Sequence, residues 1–272
     1  MKKYKPTSPG RRHGTREDFS ILDKKRPEKS LVSVLNKKAG RNNQGRITTR
    51  HKGGGVKRLY RLIDFKRKNF DIEGTVVALE YDPNRTAFIA LIDYNGEKRY
   101  ILAPQGLKKG DKVIASEKTL LKSGNRMKLM NIPIGTEVYN IEIQPLGGGK
   151  MVRAAGASAK VLGAEGDHVI LQMPSKEVRK MHKNCYASIG SLSRQEHRYT
   201  VLGKAGRKRK KGVRPTVRGS AMAPVDHPHG GGEGRSGIGM KYPKTPWGKH
   251  ALGKKTRKRK VTNNFIIRRR EK

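Results

Sequence analysis

From residue 72 to 103 apolar and polar residues alternate with the period of β-strands. The run IEGTVVALEYD places Thr75, Val77, Leu79 and Tyr81 on one face. A DPN turn leads into TAFIALIDY. Asn95-Gly96 then predicts a tight hairpin, because both residues tolerate the left-handed backbone such a turn demands. EKRYILA is the returning strand and GDKVIAS a further one. KTLLKSGNRMKLMNIPIG lacks alternation and reads as a connector with one helical turn. A second set of strands follows over 136–195: TEVYNIEIQ, KMVRAAG, SAKVLG, DHVILQM, EVRKMH and YASIGSL. In it Val169, Leu171 and Met173 alternate with Ile170 and Gln172, while GGG at 147–149 and AEGD at 164–167 supply turns. Short strands at this spacing predict two small β-barrels or sandwiches, each near the lower size limit for independent folding.

The flanks lose this period, and their charge says why. Residues 1–70 hold 22 basic and 5 acidic residues, residues 71–200 hold 19 and 14, and residues 201–272 hold 22 and 3, within a total formal charge of +41. The balanced middle can fold like an ordinary protein. The flanks repel themselves and call for a dense polyanion, of which a nucleic-acid backbone is the commonest. Alone, residues 1–70 are expected to be disordered or loosely attached. The runs RKRKK (207–211), KKTRKRK (254–260) and RRR (268–270) are separated by glycines, which let a backbone pass between closely spaced phosphates. Aromatic content is only 6%, and no aromatic-rich RNP strand occurs, so recognition by shape and backbone is expected.

The remaining chemistry narrows the class. The lone Cys185 excludes a disulfide framework or a multi-cysteine zinc site and reads as a small buried residue. No apolar run reaches the ~18 residues of a membrane span. The basic start MKKYKPTSPGRRHG lacks the apolar region of a secretory signal, and Glu17, Asp18 and Asp23 argue against an organelle leader, so neither is expected. Gly248–Lys254 begins like a phosphate-binding loop, but Lys255 stands where Ser or Thr should hold magnesium. AspHisProHis at 226–229, followed by GGGEG, has three readings: RNA contact, general-base chemistry by His229, or a metal site. The surrounding charge favours RNA. Arg85, in the DPNR turn, and Arg153, in VRAAG, read equally as solvated surface charges or as guanidinium forks for phosphate.

GVRPTVRGSAMAPVDHPHGGGEGR (212–235), TPWGKH, GKKTRKRK and FIIRRR resemble the C-terminal extension of the L-two family of bacterial-type large-subunit ribosomal proteins. RITTRHKGGGVKRLYR (46–61), VVALEYDPNRTAFIALI and MVRAAGASAKVL resemble its other parts in the same order, so the resemblance spans essentially the whole chain. It implies an all-β fold: an OB-fold-like RNA-binding barrel over 71–130 and a small Src-homology-three-like barrel over 131–200, with long irregular basic extensions over 1–70 and 201–272. It implies a structural constituent of the large ribosomal subunit, a primary binder of 23S rRNA near the peptidyl transferase region. Support of subunit association, tRNA binding and peptide-bond formation follows. The implied partners are 23S rRNA, the 16S rRNA of the small subunit through an intersubunit bridge, and neighbouring ribosomal proteins, with no membrane and no homo-oligomer. No cofactor is implied beyond RNA-associated magnesium, and no metal site. The implied location is cytoplasmic, in the large subunit.

Carried onto this sequence, the rRNA-contacting residues are Arg50, His51, Lys52, Gly53, Gly54, Gly55, Lys57 and Arg58 in the first motif, and Arg85 and Arg153 on the barrels. Arg214, Arg218, His227, His229 and Arg235 follow in the second motif, then Trp247, Lys254, Lys255 and Arg257. Many members have His where Val56 stands, Trp where Lys210 stands and Asn where Ala223 stands, so one imidazole, one indole and one amide are missing here. The chain is expected not to be an enzyme. The alternative is direct peptidyl transfer with His229 as general base, which needs the base within ~3 Å of the reacting amine and a residue such as Asp226 orienting its ring. Orientation of two tethered substrates can itself supply about 7–11 kcal/mol, so peptide transfer does not require a side-chain base.

Overall fold

A computed structural model describes residues 1–253, 255–258 and 260–270. They fall into two units: Met1–Asn36 and Lys57–Lys204 with the segment beginning at Thr262, and Lys37–Val56 with Ala205–Val261.

The first unit is all-β. Its basic arm contributes β1 (Lys2–Lys3), β2 (Thr15–Arg16), β3 (Val32–Val34) and β4 (Leu59–Arg61). An OB-fold-like sheet follows from β5 (Gly74–Glu80), β6 (Ile89–Tyr94), β7 (Glu97–Leu102) and β8 (Lys112–Val113), in the order β7-β6-β5-β8. The β6–β7 hairpin turns at Asn95 and Gly96 with φ of 52° and 95°, the turn that the dipeptide predicts.

β5 does not keep one alternation. Its register shifts between Val76 and Ala78, and the extra residue Val77 switches which face each later side chain meets. Val76 and Leu79 therefore enter one core cluster and Ala78 another, while Thr75, expected beside Leu79, is exposed. Tyr81, past the strand end, is exposed too.

The second sheet is the small barrel. It is built from β9 (Arg126–Lys128), β10 (Glu137–Tyr139), a short β11 (Ile141–Glu142) and β12 (Gly149–Met151) pair alongside, then β13 (Ala159–Glu165), β14 (His168–Gln172), β15 (Val178–His182) and β16 (Tyr186–Ile189). β17 (Ile266–Arg268), from FIIRRR, pairs with β15 at the edge, giving the order β17-β15-β14-β13-β10-β16-β9. Val169 and Leu171 are buried as their alternation predicts. The expected connector does hold one helical turn, the 3-10 turn at Leu129–Asn131, but it also holds β9, with Met127 and Leu129 in the core. A three-residue strand is too short for alternation to show.

One buried ion pair underlies this barrel. Arg126 Nη2 donates to Glu142 Oε1 at 3.0 Å, and the Glu142 oxygens also accept the N–H groups of Leu146, Gly148 and Tyr186. Such multiple donation is what a buried carboxylate needs. Cys185 is fully buried nearby, and burial pushes its thiol up to about 11, which makes it an inert packing residue. The two sheets are joined through Phe88 N donating to Ser193 Oγ at 3.0 Å, Gln105 N donating to Ser191 O at 2.8 Å, and a shared cluster of Ala87, Leu102, Tyr139 and Leu192.

Residues 1–36, expected to be loose, are docked on this unit. Asp23 and Leu79 exchange bonds, Asp23 N to Leu79 O and Leu79 N to Asp23 Oδ2, each at 2.9 Å. Glu28 N donates to the Tyr100 hydroxyl at 3.0 Å, and Leu22 and Leu31 pack against the two cores of the first sheet. Each is a contact to a distant strand, so no local period announces it.

Candidate nucleic-acid interface

The second unit contains little regular structure beyond α2 (Ala205–Lys210; α1, Pro9–Arg12, lies in the arm). It is held by backbone bonds between two segments far apart in sequence. Arg214 N donates to His51 O at 3.0 Å, Gly53 N to Gly212 O at 2.8 Å, and Val56 N to Lys210 O at 3.0 Å, with Lys52 and Val213 bridged between them. Gly55 is required here: its φ is 61°, and a Cβ would lie 2.8 Å from the Lys210 carbonyl. The first basic motif and the start of the second thus form one ladder. Arg50, Lys52 and Arg214 are exposed on it, and His51 is half-buried. In 37–56 and 205–261 Asp226 and Glu233 are the only acidic residues. Cations packed this densely without counter-charge need an external polyanion.

The histidine motif is a folded loop. Asp226 N and His227 N both donate to Ala223 O, at 3.0 and 3.3 Å, Gly230 N donates to His227 O, and Gly231 N to Met222 O. His227 is buried against Gly219, where a Cβ would come within 2.4 Å of its ring. His229 N donates to His227 Nδ1 at 3.0 Å, and the two rings lie 4.7 Å apart. Lys244 N donates to His229 Nε2 at 2.9 Å, so that nitrogen is an unprotonated acceptor. Loss of water, then the neighbouring His227 and Lys244, lower the basicity of His229. Among the described residues no hydrogen bond joins the Asp226 carboxylate to His229. Ala223 acts through its carbonyl, so these bonds do not depend on its side chain.

On the first unit, Arg58 Nη1 donates to Pro83 O at 2.8 Å, and Asn84 Nδ2 donates to Leu59 O at 2.6 Å, which pins Arg58 and Leu59 to the DPNR turn. Arg85 donates from Nε to the buried Asp82 at 2.5 Å and lies 5.8 Å from the ring centres of both Tyr60 and Phe65. Arg153 lies 4.5 Å over the Phe65 ring.

Two family comparisons match this chain: "Ribosomal Proteins L2, RNA binding N-terminal domain" over residues 28–115, and "Ribosomal Proteins L2, C-terminal domain" over residues 122–248. The chain belongs to the ribosomal protein L2 family. It is an RNA-binding structural protein of the large ribosomal subunit, which in bacteria lies in the cytoplasm. The ladder of this L2 chain draws one segment from each matched region, since His51–Gly55 falls in the first and Gly212–Arg214 in the second.

The L2 residues expected to contact RNA sort into groups. Arg50, His51, Lys52, Gly53, Gly54, Gly55 and Arg214 share the ladder segments, with Arg218 leading into the histidine loop that holds His227 and His229. Arg58, Arg85 and Arg153 gather around the DPNR turn and Phe65 on the first unit, where Lys57 is exposed. Arg85 is half-buried and bonded to Asp82, whereas Arg153 is exposed with its guanidinium over Phe65. Trp247 is 78% exposed at the tip of a turn closed by Thr245 N donating to Lys249 O at 2.7 Å. Arg235, Lys255 and Arg257 are exposed, and Lys254 lies outside the described residues. The reading of the sequence missed Phe65, whose one signal is an aromatic followed directly by Lys66, Arg67 and Lys68. Among the described residues no group of three or more His, Cys, Asp or Glu side chains could hold a metal ion.

Proposed function

We propose that this L2 chain is a primary binder of 23S rRNA near the peptidyl transferase region. There it supports subunit association, tRNA binding and peptide-bond formation by holding RNA in place. Its partners are 23S rRNA, the 16S rRNA through an intersubunit bridge, and neighbouring ribosomal proteins. The ladder residues, the histidine loop, Arg58, Arg85, Arg153 and the C-terminal cations are the RNA contacts in this reading. The observation that carries it is the ladder itself, which gathers un-neutralised cations from both basic extensions onto glycine-rich backbone. The histidine loop supports a positioning role. A general base needs a free lone pair and an orienting partner, whereas His229 Nε2 is already bonded to the Lys244 amide and Asp226 does not orient the ring.

The test is binding of the full chain to 23S rRNA as a function of salt. Contacts to ~6–10 phosphates lower affinity about 10³–10⁵-fold between ~50 and ~200 mM salt. A flat response would remove the basic ladder as the main contact.

A further inference from the structure

The two segments of the ladder border an open cleft of about 360 Å³ in the second unit. Ile47, Pro215, Val217 and Met222 give it an apolar lining. Arg41, Arg50, His51, Lys52 and Arg214 complete it, with no carboxylate among the lining residues. Among the described residues none of these four Lys and Arg side chains makes an ion pair. An apolar wall beside several unpaired cations matches a ligand with a flat apolar body and an anionic edge, which is the chemistry of a nucleotide. The volume lies near the lower end of the ~300–1,000 Å³ of small-ligand sites, which suits one nucleotide and is too small for a base pair.

We propose that this cleft receives a single unstacked RNA nucleotide, its base against Ile47, Val217 and Met222 and its phosphate on Arg50, Lys52 and Arg214. The inference rests on the RNA-binding reading above and adds the kind of RNA feature this place selects. The site needs both extensions, because its lining comes from 39–52 and from 214–222. It also needs the glycines that let those segments meet. A Cβ at Gly40 would fall 2.3 Å from Thr49 O, and one at Gly55 would press on Lys210 and Gly212. An isolated N-terminal or C-terminal extension therefore lacks it.

The experiment uses the full chain and three probes: an RNA hairpin with one bulged 4-thiouridine, the same hairpin fully paired, and free uridine monophosphate. The bulged hairpin is expected to bind about tenfold tighter than the paired one at equal salt, the scale of burying one apolar face of a base. Irradiation should crosslink the thiouridine to residues 47–52 or 214–222. Met222→Lys adds a cation but removes apolar lining. It should hold or raise affinity for the paired hairpin while bringing the bulge preference close to one. Gly55→Val should abolish the preference by parting the ladder without changing charge. Equal binding of both hairpins by the unaltered protein, or crosslinks elsewhere, would overturn the cleft assignment and leave general RNA binding standing. Failure to bind either hairpin would overturn that broader reading and the inference with it. Free uridine monophosphate bound as tightly as the bulged hairpin would overturn RNA as the ligand.

Discussion

The backbone N–H of Val56 donates to the carbonyl of Lys210 at 3.0 Å. At these two positions the family resemblance leads one to expect His and Trp, and the two meet through this bond. Both side chains are exposed beside this bond. Where the resemblance leads one to expect an imidazole and an indole, an isopropyl group and an ammonium stand together.

Because the two positions touch, their substitutions should couple. Lys210→Trp should reduce the salt slope of rRNA binding by about one, the loss of one phosphate contact. Adding Val56→His should change affinity by an amount that the two single variants do not sum to. Additivity within about 0.5 kcal/mol in a double-mutant cycle would show that the positions act independently.

His229→Gln should retain most of its function, since the glutamine carbonyl can accept the Lys244 N–H that Nε2 now accepts. His229→Ala should loosen the loop, with faster hydrogen exchange at Lys244 and impaired assembly or subunit joining. A catalytic base would give a different pattern, with glutamine failing like alanine by ~10²–10⁴-fold in the chemical step alone. Single-turnover peptide transfer on fully assembled variant particles separates the two.

Acid should release the N-terminal arm. Burial by itself raises the Glu17 carboxyl, but the hydrogen bonds from Arg194 and His197 overcome it and hold Glu17 at about 2. Arg194 donates to it twice, at 2.6 and 2.8 Å, and itself lies 5.0 Å over Phe88. A carboxylate depressed in the folded state stabilises fully above its unfolded value of ~4.3 and loses that contribution as pH falls towards 2. The contribution is on the order of 2–3 kcal/mol. Glu17→Gln should lower stability at neutral pH and flatten its pH dependence across this window. Thermal unfolding between pH 2 and 7 reads it, and an unchanged acid limb would refute the role.

Arg153→Ala should weaken rRNA binding by ~1.5–3 kcal/mol, the scale of one charged hydrogen bond, with the barrels still folded. Lysine should rescue incompletely, lacking the planar guanidinium that lies on Phe65. Phe65→Leu should give a smaller loss of the same kind, because it removes the ring that braces both Arg85 and Arg153. Binding by Arg153→Ala equal to the unaltered protein would remove this side chain from the RNA face.

The strands of the middle were legible because their signals are local. Asn95-Gly96 makes its turn with its own backbone, and Val169 and Leu171 alternate within one strand against one core. The charge of the flanks was equally legible, since charge adds along a chain whatever its shape. The tight glycine segments and the histidine motif marked the candidate RNA contacts by composition and by family pattern. Val77 shows the limit of such reading. Its neighbours look like regular alternation, and only pairing with β6 inserts the bulge that sends Val76 and Leu79 into the same core. Asp23 on Leu79, Val56 on Lys210, and Arg85 with Arg153 on Phe65 are of the same kind. Each joins residues distant along the chain through one or two hydrogen bonds or one ring face. Composition and period determined which stretches can fold and which must find a polyanion. The tertiary structure alone decided that two basic segments close into one ladder, because that depends on backbone groups, which every residue carries alike, coming within hydrogen-bond reach.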